Sequence, residues 1–330
     1  MATPGMKASR WKNNFGCVGP DEGIEKHATG RKVEEMYGDA SSGLKLRPPA
    51  VAGLFYPEDP DELVAMVRRL LASGQERLRH RLEQIGESKS KNDSSGRSGS
   101  LESLVGLIAP HAGYIYSGEV AGVAYAAVIH SKTKFSKAAV FGPSHRVFLR
   151  GMALPSVEGF EMPGFVLQAD ESGVEALSSL SSVVVDDVPH REEHSIEVHF
   201  PFIREVLGEV PVVAVAIGDA APAEVSDAIA LMLEDPERLV VISSDLSHYL
   251  DYETARAVDE QTARSIEALR YEDLGYESAC GRNGIRGLLF LARRKGMRLL
   301  RLDLRNSGDT AGPRDGVVGY PAFAAVGAEA

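Results

Sequence analysis

Histidine is the side chain best suited to both metal ligation and proton transfer near neutral pH. In this chain several histidines recur in similar settings. His111 follows the apolar run LVGLIAP, and His145 follows KAAVFGPS. A third apolar run, RLVVISS, leads into Asp245, with His248 shortly after it. If the three runs are parallel strands, these residues share the carboxyl edge of one sheet. That edge is where open α/β sheets bind ligands. One histidine at a strand end can simply bond a loop carbonyl. Three strands ending in titratable residues point to a cleft, because independent structural needs rarely select the same residue types.

Two further segments could add chemistry. HREEHSIEVHFPF carries Glu193 and His194, which fit as ligands, as groups that orient a ligand, or as acid/base groups. The competing reading is a helix N-terminus that favours acidic residues through its dipole. If His194 to Gly208 form one helix, Glu193 and Glu197 share a face. Cys280, in ACGRNGI, falls at the start of an expected helix. There the helix N-terminus and Arg282 could lower its pKa, making it a soft metal ligand or a redox thiol. The alternative is an inert buried thiol. His27, His80 and His130 lack such settings and read as surface or packing residues. His190 stays open, and His199 reads as structural beside Pro201. Gly113 and Gly118 suit a tight loop into the next helix, whose free N–H groups would face the cleft. Their spacing is not that of a nucleotide-binding loop. Ser144 beside His145 lacks the G-x-S-x-G elbow of a hydrolase.

The elements that must position these residues alternate. Apolar strands (LVGLIAP, KAAVFGP, PVVAVAIG, RLVVISSD) are interleaved with helices (GEVAGVAYAAVIH, APAEVSDAIALMLED, YETARAVDEQTARSIEALR, GIRGLLFLARRKG). RLLRLDLRN and GVVGYPAFAAV read as final strands. Continuous apolar strands between helices predict a single α/β domain with a mostly parallel central sheet flanked by helices. A helix is expected from Pro60, capped by Asp59 or Asp61. Residues 1–45 are polar and Gly-rich, predicting a disordered tail before a domain over 46–330. Residues 85–103 (IGESKSKNDSSGRSGSLES) predict a flexible surface insert.

Composition narrows the function classes. A net charge of -11 argues against nucleic acid or anionic membrane as partner. No apolar run approaches the ~20 residues of a spanning helix, and the N-terminal stretch lacks the apolar core of a signal peptide. The two cysteines, Cys17 and Cys280, form no disulfide framework, so a reducing, cytoplasmic setting is expected.

With these residues in place, the chain resembles the Memo family. The matching segments are PAVAGLFYP, IAPHAGYIYSG, FGPSHRV, EEHSIEVHFPF, ISSDLSHY and ACGRNGIRGLL, in the family's order over about residues 48 to 328. The resemblance implies a fold like that of the class III extradiol ring-cleavage dioxygenases, which hold iron at the edge of an α/β sheet. It implies a cleft of two histidines and a cysteine, matching His111, His145 and Cys280, with Asp245 and His248 beside it. Prokaryotic relatives are also named protein B of the AmmeMemoRadiSam system, which implies association with a radical SAM protein. A dioxygenase iron site uses two histidines and a carboxylate. A thiolate in the carboxylate's place opens the choice to iron, copper or zinc, while Asp245 or Glu193 could still supply a carboxylate.

Three functions follow as expectations. The first is a metal-dependent redox protein or dioxygenase, with His111, His145 and Cys280 on the metal. His248 would act as acid or base, with Asp245, Glu193 and His194 assisting. The second is a non-catalytic module binding a small molecule or peptide on a dioxygenase-like fold, as the family's signalling adaptors in animals suggest. The third is a zinc hydrolase, disfavoured because no H-E-x-x-H motif is present.

Overall fold

The computed structural model describes residues 43–90 and 101–328. The expected tail therefore lies outside the described residues up to residue 42. The chain begins with strand β1 (Leu46–Arg47) and helix α1 (Pro60–Ser90), then β2 (Leu104–Ala109), α2 (Tyr114–His130) and β3 (Lys137–Pro143). Short elements follow: β4 (Met152–Leu154), β5 (Gly159–Met162), β6 (Phe165–Gln168), α3 (Glu171–Ser178) and β7 (Val183–Val185). The second half runs α4 (Phe200–Leu207), β8 (Val212–Ile217), α5 (Pro222–Met232), β9 (Arg238–Ser243), β10 (His248–Leu250) and α6 (Tyr252–Glu267). It closes with α7 (Arg282–Lys295), β11 (Arg298–Asn306) and β12 (Val317–Val326).

The main sheet has the order β10-β12-β2-β9-β3-β8-β4-β7, with β11 on β12. Its centre, β2-β9-β3-β8, is parallel and in register, with Ala109 opposite Ser243 and Pro143 opposite Ile217. The carboxyl ends of all four strands thus meet at one edge, as the sequence pattern predicts. The flanks are antiparallel: β12 against β2, β11 against β12, and β4 against β8. The sheet is therefore mixed: parallel where the site is built, antiparallel where the flanking strands join it, with β7 again parallel to β4 at the edge. A separate small sheet, β1-β5-β6, joins β1 near residue 46 to two short strands between β4 and α3.

Alternation along the strands feeds two apolar layers. Leu107, Val140, Ala214 and Val241 face one layer together with α2, while Ile108, Phe141, Val215 and Ile242 face the other together with α7. Burial on both faces is why these strands read as continuous apolar runs. Helix α2 is buried nearly all round, because α1 packs over its outer side. This close packing explains Gly118 and Gly122. A Cβ at Gly118 would crowd Leu70, and one at Gly122 would overlap the Leu70 carbonyl. Gly118 thus serves helix packing, not a ligand loop.

Asp59 caps α1, accepting from the Glu62 N–H at 2.9 Å. The helix continues to Ser90, into the stretch expected to be a loop from residue 85. Residues 91–100 lie outside the described residues, and Leu101 is buried. Among the described residues, no helix is long and apolar enough to cross a membrane.

One buried ion pair ties the periphery to β9. Asp170 caps α3, accepting from Gly173 N–H, and receives Arg238 at 2.6 Å. Burial pushes the Asp170 pKa up, but bonds from Ser172 and Arg238 more than offset this and hold it below its ordinary 3.8. Asp170→Ala leaves buried Arg238 with only its longer 3.6 Å ion pair to Asp235, and is expected to lower the unfolding free energy by about 3 kcal/mol. Because the folded pKa is depressed, the loss is full above the unfolded value and shrinks as pH falls below 3.8. Urea unfolding of both proteins at pH 7 and in acid checks this; a difference that does not narrow in acid would contradict it.

Candidate metal site

His111, His145 and Cys280 meet at the carboxyl edge of the central strands. One ligand atom from each lies within 4.8 Å of the others. The Cys280 Sγ is 3.2 Å from His111 Nε2, and the imidazoles meet edge to face with centroids 5.1 Å apart. Two ligand atoms at a tetrahedral angle around a zinc-sized ion would stand about 3.5 Å apart. The spacing therefore suits a first-row metal.

The far side of each imidazole is engaged. The Ser243 hydroxyl donates to the Ser195 carbonyl at 2.5 Å, so its oxygen accepts from His111 Nδ1–H at 2.6 Å. That assigns the His111 proton to Nδ1 and leaves an Nε2 lone pair toward Cys280. His145 Nδ1 donates to Glu193 Oε1 at 2.9 Å, turning its Nε2 toward the thiol. Metal-binding histidines commonly have this outer anchoring. Burial, aided by His145, His194 and other neighbouring imidazoles, pushes the His111 pKa well below its ordinary value. Burial also lowers His145, but bonds to Cys280 and Glu193 overcome this and raise it well above the ordinary range. Burial raises the Cys280 thiol despite His145. Ligation needs a thiolate and neutral imidazoles, so metal binding at this site would release protons.

Cys280 stands just before α7, with Gly281 between. A Cβ at Gly281 would collide with the Ser243 carbonyl and Ser244, so glycine lets this turn lie against the end of β9. Asp245 N–H donates to Cys280 Sγ at 3.3 Å. The expectation that Arg282 and the helix N-terminus depress the thiol pKa is not met. Burial dominates, and the Arg282 guanidinium lies over the Tyr276 ring at 3.6 Å.

The expected helix from His194 to Gly208 is also corrected. Residues 191–196 are irregular, Glu197–His199 form one 3-10 turn, and α4 starts at Phe200. The cause is local competition for backbone donors. Glu193 accepts from the backbone N–H groups of His145, His194 and Ser195 at 2.6, 3.0 and 2.9 Å, besides the His145 ring. Burial raises its pKa, yet these partners, His145 first, bring it down to about 2. Glu193, His145 and His194 also have atoms close enough to group around an ion. Glu193, however, is saturated with donors, so it positions His145 and is a poor ligand. Glu197 points elsewhere, toward Arg47 at 2.6 Å and Tyr56 at 2.5 Å.

His194 stacks on His145 at 4.8 Å and 14° and meets His111 edge to face at 5.4 Å. Burial brings it down to about 4, so it is neutral at pH 7. Phe55 covers it, with centroids 4.8 Å apart. Asp245 accepts from the His111 backbone N–H at 2.8 Å, and burial raises it to about 7. It therefore holds the His111 turn through the backbone and bonds neither imidazole. His248 opens β10 at the margin and is not one of the grouped ligands, although its charge would bear on His111. His190 bonds the Ala153 carbonyl at 3.0 Å and His199 bonds Tyr125 at 3.0 Å; both are buried structural residues. His80 and His130 are exposed, and His27 and Cys17 lie outside the described residues.

The family model described as Memo-like protein matches residues 47–324, which include every residue of this site. The chain belongs to the Memo family. A MEMO1 family protein of Thermotoga maritima is 35% identical over 288 residues, covering 83% of this chain and 97% of that one. A MEMO1 family protein of Thermoplasma acidophilum is 31% identical over 297 residues, covering 85% and 98%. Among solved structures, an uncharacterized protein from Escherichia coli K12 aligns with a TM-score of 0.46 at 15% identity, covering 68% of this chain and 100% of that one.

Ser243 and Ser195 escape a reading of this Memo-family sequence. Serine is common, and only the fold brings their oxygens onto His111. Ser243→Ala removes the group that receives the His111 Nδ1 proton. Its apparent Zn(II) affinity is expected to fall about 10–100-fold, read by competition with a chelating dye. Unchanged affinity would show that the hydroxyl does not set the ligand.

Proposed function

We propose that this protein is a metal-dependent redox protein whose metal is held by His111, His145 and Cys280. The carrying observation is that two imidazoles and a thiol converge while the outer nitrogen of each imidazole is already bonded. Two nitrogens and one sulfur suit iron or copper, with zinc the remaining candidate. Once bound, such a metal would supply redox change or polarise a substrate oxygen.

The chain's own residues do the rest. Ser243 and Glu193 hold the imidazoles in place. Neutral His194, stacked on His145, can accept a proton beside the metal. His248 is the candidate acid or base at the margin, and Asp245 keeps the His111 turn in position. Phe55 and the buried surroundings exclude water from the imidazole side. A dioxygenase reaction is the finer form of this reading, as the family resemblance implies. A cytoplasmic location agrees with a cysteine that must stay reduced to bind metal. Association with a radical SAM protein is proposed from the family resemblance.

Anaerobic purification followed by elemental analysis and metal spectroscopy tests the reading. Wild type is expected to carry about one transition-metal ion per chain, since the three ligands form a single site. His111→Ala, His145→Ala and Cys280→Ala are expected to lose most of it. Equal metal content in all four proteins would remove the proposal.

A further inference from the structure

A cavity of about 340 Å³ has Cys280 in its lining. Its volume falls at the small end of small-molecule sites. Cys280 and Ser243 line its inner end, and Phe141, Pro143 and Ile217 make apolar walls. Phe148 and Tyr276 line it too, and they are 79% and 81% exposed. Among the described residues no other large apolar side chain exceeds the 53% of Val185. Two rings held in water on one small cavity mark a binding surface, since neither gains from burial in the free protein.

Arg282 supplies charge at the same place. Its guanidinium lies over one face of Tyr276 at 3.6 Å, which holds both side chains at the rim. Further along α7, Arg293 and Arg294 pair with Glu272 and Asp227. Among the described residues, no carboxylate pairs with Arg282. Its donors can therefore take a planar acid group in two parallel bonds. Exposed Asp219 also lines the cavity and would repel a second acid group.

We propose that this cavity is the substrate pocket and takes a small planar aromatic molecule bearing one acidic group. The ring lies against Phe148 and Tyr276, the acid group meets Arg282, and the inner end reaches Cys280. The proposal rests on reading His111, His145 and Cys280 as a metal centre, because that gives the cavity a reacting end.

Calorimetric titration of the full chain, in its purified metal state, uses naphthalene-2-carboxylate as probe. Saturable one-to-one binding is expected. The carboxamide, and Arg282→Gln with the carboxylate, are each expected to weaken it by about tenfold or more. Phe148→Ala and Tyr276→Ala are expected to weaken it about three- to tenfold. Decalin-2-carboxylate, without a π-face, and naphthalene-2,6-dicarboxylate are expected to bind more weakly than the probe. No saturation, undiminished binding to Arg282→Gln, or equal binding of the decalin acid would overturn the proposal. Metal content is measured on the same samples. Metal-replete wild type that ignores the probe refutes the pocket alone. Probe binding by a protein whose metal content is insensitive to His111→Ala refutes the metal reading alone.

Discussion

The site depends on one buried carboxylate. Glu193 lies where solvent cannot reach it, and a buried charge is tolerated only when its lone pairs are occupied. Four N–H donors meet it: the ring and backbone of His145, and the backbone of His194 and Ser195. That demand makes residues 191–196 a loop instead of a helix. It also aims His145 and places His194 against it. The Ser195 carbonyl is then in position to receive Ser243, whose oxygen anchors His111. Both imidazoles of the candidate metal site are thus set by bonds that trace back to Glu193.

The same loop is tied down from outside. Arg47, buried in β1, donates to the carbonyls of His190 and Glu193 and to the Glu197 carboxylate. Glu197 in turn receives Tyr56 and the backbone N–H groups of Ala50 and Val51. A segment far from the site in sequence therefore rigidifies it. Phe55, within that segment, reaches His194 directly. A preorganised site needs such outer support, because ligands left to find their own positions bind metal more weakly.

Much of the architecture could be read in advance. Apolar runs buried on both faces identified the four central strands, and helical signals between them implied parallel pairing. That placed His111, His145 and Asp245 at one edge. The antiparallel flanks and the small sheet of β1, β5 and β6 were less legible. Their strands are short, and their pairing depends on partners distant in sequence. The helix expected from His194 failed because periodicity does not reveal that a nearby carboxylate will capture the backbone donors. Gly118 was misjudged because close helix approach leaves no local mark.

By itself, the sequence determined which residue types end which strands, and so where a cleft would lie, while Cys280 was joined to it only by the family resemblance. The tertiary structure alone decided their division of labour. Asp245 and Glu193 both looked like ligands or acid/base groups. Folding made one a holder of the His111 turn and the other the anchor of His145. The reason is geometric: ligation requires free lone pairs directed at one point. Which lone pairs remain free is known only once every donor around each carboxylate and imidazole has been placed.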